Sequence, residues 1–340
     1  MCIRDSYRTE QAENGSPAGL QVGTPAILAG ECKAGRVISI SPHPEATEGL
    51  RFFIPRAVEW VADRSPESLV PTPEPRKPPS VRNVERIGSM PDLTATDSEA
   101  ALPFGGKHYG GPVAASNGLA WLAREKNFDR LLPAGDLGAS LQGRLARLLG
   151  SRGYMDTEVH RQTGTPAVIR GLGRFLEEKG YSVRLTYQGW RRVEKKFREG
   201  WPWPDLDRVK RSLQRDSLVM LNVGWYRHDA DKDVYRRSGG HWLTLAGYGV
   251  DEKGQPDAEV LLIHDSSPRV GMEPAVEYVR ATPLESGRLS GNSSMPKGVN
   301  SAVGFYRLGG GMHLNSERGD ICILDGVVVV SLTDLRRDGK

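Results

Sequence analysis

Within 340 residues, one stretch brings acid–base residue types together at a usable spacing: Ser238–Pro268, SGGHWLTLAGYGVDEKGQPDAEVLLIHDSSP. Its two apolar runs, Trp242–Ala246 and Val260–Ile263, flank a polar segment rich in Gly, Pro and Asp, a pattern that predicts a β-hairpin with a long loop. The first run follows Gly-Gly-His and the second ends at Asp265, so antiparallel pairing brings His241 and Asp265 to one rim of the sheet. A carboxylate beside an imidazole fixes its tautomer and orientation, the supporting half of a nucleophile–base–orienter site. A His and an Asp that merely end two strands would look the same.

Three other groupings carry potential chemistry. Arg191-Arg192, Lys195-Lys196 and Arg198, flanked by Trp190, Trp201 and Trp203, could hold an acidic partner or a nucleic-acid strand, but with so modest a net charge a solvated helix face beside a Trp-Pro loop is the preferred reading, and no nucleic-acid partner is expected. Those Trp residues are also candidates for lining a substrate groove. His228, Asp229, Asp231 and Asp233 resemble a metal cluster on paper, yet the spacing of a calcium-binding loop, with its Gly and final Glu, is missing. Cys2, Cys32 and Cys322 are far apart, odd in number and without metal spacing, so neither a disulfide framework nor a zinc site is expected. Cys322, in Ile-Cys-Ile-Leu, reads as a buried strand thiol.

GGHWLTLAGYG followed by LLIHDSSP resembles the His and Asp strands of papain-like cysteine peptidases, nearest to the bacteriocin-processing type. That family carries its nucleophile in a helix-opening stretch like Cys-Gly-Pro-x-Ala-Ala-x-Asn-x-Leu. This chain has Gly110-Gly111-Pro112-Val113-Ala114-Ala115-Ser116-Asn117-Gly118-Leu119. The resemblance therefore places Gly110 where the nucleophile belongs, with His241 as base and Asp265 as orienter. The oxyanion-holding Gln of that family falls at Phe104. Ser116, the nearby hydroxyl, lies more than a turn into the helix and is no substitute. Three explanations for Gly110 stand: a degenerate, non-catalytic descendant, an error in the sequence, or a different hydrolytic chemistry using His241 and water. The geometry implied is a His241–Asp265 hydrogen bond, with the free ring nitrogen facing the helix terminus across a gap the size of a Cys side chain.

The elements that must position these residues read as follows. Pro112–Arg124 predicts a helix with Pro in its first turn; Leu137–Leu149 and Thr165–Lys179 predict two more, and Asp205 caps a fourth to Gln214. Tyr181–Tyr187 and Leu218–Val223 read as strands. Ile321–Leu324, Asp325-Gly326 and Val327–Leu332 predict a hairpin with a type I′ turn. Helices first and an antiparallel sheet afterwards make an α+β domain of papain-like layout over 103–340.

Ahead of it, 65–102 reads as a Pro-rich linker, and 18–64 as two short strands, Ala26–Ala29 and Val37–Ile40, with a helix from Phe52 to Ala62. Gly35–Glu45 resembles the last segment of class I glutamine amidotransferase-like domains, the variety found beside biotin-protein ligases. His43 and Glu45 then match that family's base and orienter, without a nucleophile elbow before them. The expectation is a small truncated α/β fragment, preceded by a disordered or non-native start at 1–17, which leaves the compartment open.

Hydrophobic residues make up 38% and charged residues 26%, ordinary for a globular chain, and no apolar run is long enough to span a membrane. A net charge of +4 and a pI near 8.9 do not by themselves argue for nucleic acid. No cofactor or metal is expected. The expected partner is a peptide or peptide-like ligand held in a former active-site cleft. An active thiol peptidase or amidase and a purely structural module are the alternatives.

Overall fold

Apolar runs after Ser217 become long strands whose pairing closes on itself. The computed structural model describes residues 27–32, 35–40, 84–86, 88–134, 139–199, 202–214, 217–267, 277–291, 299–310 and 319–334. The chain divides into two units, Met1–Ser80 and Val81–Lys340. In the first, β1 (Ile27–Cys32) pairs antiparallel with β2 (Gly35–Ile40), Ile27 opposite Ile40 and Cys32 opposite Gly35. The 1–17 start, His43, Glu45 and the helix expected from Phe52 lie outside the described residues.

The second unit opens with β3 (Val84–Glu85) and four helices: α1 (Gly110–Glu125), α2 (Ala139–Gly150), the single turn α3 (Thr157–His160) and α4 (Thr165–Glu178). Then come β4 (Tyr181–Gly189), α5 (Leu206–Gln214), β5 (Ser217–Asp229), β6 (Val234–Val250) and β7 (Pro256–Asp265). The chain continues through β8 (Glu277–Pro283), β9 (Arg288–Ser290), β10 (Val299–Ser301), β11 (Tyr306–Gly310) and β12 (Ile321–Asp334). Asp205 caps α5 as expected, its Oδ1 accepting from Arg208 N at 3.1 Å.

The papain-like α+β layout is not what forms. Strands β6, β5, β12, β11, β8 and β7 follow one another with antiparallel pairing, and β7 pairs back onto β6, so six strands close into an antiparallel barrel with extra strands on it. Closure needs sharp coiling, and β6 supplies it with irregularities at Leu245/Gly247 and Tyr248/Gly249. Leu221, Val223, Leu243, Leu245, Leu261, Ile263 and Leu324 pack into one interior cluster, with Val209 and Leu213 of α5 against them. Helices α1, α2 and α4 cover the opposite face of the sheet, where Leu218, Met220, Trp242, Ala246 and Val328 meet Leu119, Leu122, Leu145 and Leu172. Individual strand patterns do not reveal closure. It depends on β8 and β11, whose runs are too short and polar to be anticipated.

A second correction concerns Asp325-Gly326. No hairpin turn forms there: β12 runs unbroken through both residues, which make a bulge against β5, Leu324 pairing with Val223 and Gly326 with Asn222. The extra residue reverses the inward parity, so Cys322 and Leu324 face the interior before it and Val327 after it. Asp325 is fully buried. A third correction moves a boundary: of the expected 65–102 linker, Val84–Glu85 pairs with β6, while Met90, Leu93, Ala95, Ala100 and Leu102 are buried in the second unit. No helix among the described residues is long and apolar enough to cross a membrane.

Candidate functional site

β6 and β7 deliver the expected pair. Leu243 lies opposite Asp265, and side chains two apart share a strand face, so His241 stands diagonally across from Asp265. His241 Nε2 and Asp265 Oδ1 are 2.7 Å apart, the carboxylate fully buried and the imidazole nearly so. Ser267 N donates to Asp265 Oδ1 at 2.8 Å, and Ser267 Oγ lies 2.9 Å from His241 Nε2. Burial works to raise the Asp265 pKa. The charge of His241 and hydrogen bonds from His241 and Ser267 outweigh it, holding the carboxyl below its ordinary value.

The other edge of the ring faces α1. A Cβ built on Gly110 would lie 2.8 Å from His241 Cε1 and 3.0 Å from Nδ1. The ring nitrogen left over by Asp265 is thus turned to the position where the resemblance put a nucleophile. The expected gap is not open: with no side chain at Gly110, the imidazole has closed onto the glycine. Ser266 ties helix to strand, its Oγ donating to Gly110 O and lying 2.9 Å from both Gly110 O and Trp242 O. As the first residue of α1, Gly110 sits where helix N–H groups lack intrahelical partners and the dipole favours negative charge. No acidic side chain stands in that turn.

Phe104 does not approach this site. Half-exposed and at φ 56°, it takes the Arg161 guanidinium over its ring at 5.0 Å and meets His108 edge-on at 6.2 Å. The remaining candidates also fall elsewhere. Ser116 is buried, donating to Val113 O at 2.8 Å and accepting from Gln142. Cys322 is enclosed in the barrel, where burial pushes its thiol pKa well up. His228 stacks on Tyr235 and pairs with Asp233 at 3.0 Å, Arg236 engages Asp229 at 3.2 Å, and Asp231 is exposed. Among the described residues no three His, Cys, Asp or Glu side chains are grouped to hold a metal ion.

His241 opens into a cleft of about 640 Å³. Its walls include Gly110, Thr163, Asn222, Trp225, Trp242 and Ser267. Of the expected Trp residues, Trp190 instead turns inward and donates to Asp325 Oδ1 at 3.3 Å, and Trp203 packs beside it. Beneath the cleft lies a network that sequence reasoning missed. Asp325 accepts from Arg237 Nε at 2.6 Å, from Trp190 and from the Tyr226 hydroxyl. The Arg237 side chain is only 6% exposed. Burial opposes its charge, but Asp325 and the tyrosine hydroxyls prevail and raise its pKa. Arg191 belongs to the same wall, whereas Arg192, Lys195, Lys196 and Arg198 of the basic run stay exposed. Ser266 and Ser267 follow Asp265 directly, so their place at the site was open to inference from adjacency alone. No protein-family model matches the chain, and none of the curated proteins is significantly similar to it.

Proposed function

We propose that the second unit is a binding module that holds a peptide or peptide-like ligand without cleaving it, in the cleft beside His241 and Gly110. One observation carries the reading: the His241 ring is anchored by Asp265 at 2.7 Å and presents its Nδ1 edge to Gly110 at a helix N-terminus. Base and orienter stand in working relation to a position that has no nucleophile. Without one, most of the rate of such a site is lost, while ligand binding can survive. The floor of Trp225 and Trp242 with Asn222 and Thr163 suits a chain of amides flanked by apolar side chains.

A broad peptide library incubated with the full chain tests this, read by mass spectrometry for both retention and cleavage. Retention without cleavage is expected. Gly164→Trp should abolish retention, because Gly164 lines the cleft and a Cβ there meets nothing nearer than Pro166 Cδ at 3.9 Å. Cleavage that disappears in His241→Ala would establish an active hydrolase instead. Neither retention nor cleavage would leave a structural module.

A further inference from the structure

The cleft is one-sided in charge. Lys107, His108, Arg161, Arg191, Arg237 and His241 line it, and no Asp or Glu is among its lining residues. Three of these six basic residues are engaged. Arg237 is committed to the buried Asp325 at 2.6 Å, Arg161 lies over Phe104, and His241 is bound to Asp265. Of the other three, Lys107 is exposed and His108 meets the Phe104 ring edge-on, whereas Arg191 is half-buried in the wall.

Its backbone N donates to Tyr187 Oη at 3.2 Å, which pins the residue at its root. At its head, Nη1 is buried and makes no hydrogen bond to any described residue. A buried guanidinium donor without an acceptor is costly. The surroundings deepen that cost. Burial first, and then the neighbouring Arg237 guanidinium, lower the Arg191 pKa, with Asp325 opposing. Asp325 is ion-paired with Arg237 and makes no such contact with Arg191, whose positive charge therefore adds to that of the cleft wall. A planar guanidinium fork matches the two oxygens of a carboxylate, each N–H···O bond charge-assisted.

We propose that Arg191 is the ligand-recognition residue of this cleft and takes a carboxylate of the bound peptide. The proposal rests on the peptide-binding reading above and adds a ligand class to it. A free C-terminus and an acidic side chain offer the same chemistry, so the test must separate them.

Three N-acetylated tripeptide libraries serve as probes for calorimetric titration against the full chain: free C-terminal acids, the same sequences amidated, and amidated sequences carrying one Asp or Glu. The acids, the acidic-side-chain set or both should bind about tenfold or more tighter than the neutral amides, in line with loss of a charge-assisted hydrogen bond. Which of the two charged sets is preferred identifies the source of the carboxylate. Arg191→Gln should erase that preference, and Arg191→Lys should restore only part of it, because an ammonium lacks the fork. Arg192→Gln, on the exposed part of the basic run, should change nothing; thermal melts confirm that each variant is folded. Equal binding of acids and amides, or a preference that survives Arg191→Gln, would overturn the proposal while leaving the peptide-binding reading intact. Binding of none of the three libraries would overturn both. A single-stranded oligonucleotide binding through Arg191 more tightly than any peptide would replace the carboxylate with a phosphate backbone and overturn it as well.

Discussion

Asp325→Ala should be among the most damaging single substitutions in the second unit. The carboxylate is fully buried and its Oδ2 faces Arg237, 6% exposed, at 2.6 Å, with Trp190 and Tyr226 donating to Oδ1. Arg191 stands close enough to Arg237 for their charges to repel. Removing the carboxylate leaves a buried guanidinium without its counter-ion, beside a second of like charge. Breaking a buried pair from one side costs about 3–5 kcal/mol. For a unit of this size, that corresponds to a fall of about 6–20 °C in melting temperature. The paired replacement Arg237→Met with Asp325→Leu removes the uncompensated charge and should cost far less, since a buried pair is often worth little against apolar residues of similar volume. Urea unfolding followed by tryptophan fluorescence measures both. A loss below about 1 kcal/mol for Asp325→Ala would refute the reasoning. So would a double variant as unstable as the single one, because the damage would then come from packing and not from charge.

Other predictions follow from the same contacts. Because the folded pKa of Asp265 is depressed, its contribution to stability is present above the unfolded carboxyl value of about 3.9 and is lost as pH falls through the folded value. Melting temperature against pH should therefore drop below that range, and less steeply in His241→Ala. Asp205→Ala removes the acceptor for Arg208 N and should cost about 1 kcal/mol in denaturant unfolding. Cys322 is enclosed and its thiol pKa is raised, so a disulfide reagent should label it only as fast as the unit unfolds; immediate labelling of native protein would contradict its place inside the barrel.

What could be read from the chain alone was local. Gly-Gly-His before one apolar run and Asp after the next bring His241 to Asp265 because hairpin pairing is a short-range event, and the Asp205 cap lies three residues from its donor. The misreadings share a different cause. Asp-Gly between two β-rich runs is a turn signal by propensity, but Asp325 finds Arg237 at a separation of 88 positions and Tyr226 at 99. Those buried partners make it a bulge in a continuous strand. Arg191 looked like one of five surface cations until the fold turned it alone into the cleft. Barrel closure was hidden for the same reason, since no single strand carries the information that β7 will return to β6.

The central claim, a base and orienter facing an absent nucleophile, is tested most directly by supplying one. Gly110→Cys, in a chain with Cys2 and Cys32 replaced by Ser, should push the His241 ring aside, since the new Cβ alone would lie 2.8 Å from Cε1. The new thiol would then lie between a helix N-terminus and an imidazole, where thiol pKa values fall to about 3.5–7.5 against an ordinary value of about 8.5. For a pKa near 6, about half is thiolate at pH 6, against about 0.3% of an ordinary thiol. The lower nucleophilicity of a more acidic thiol takes back about tenfold, leaving a net gain of about tenfold in rate. The measurement is the rate of reaction with a dipyridyl disulfide across the acidic to mildly alkaline range. An inflection below about 7.5 that moves back toward about 8.5 when His241 is replaced by Ala supports the account. An inflection near that ordinary value with His241 in place would contradict it.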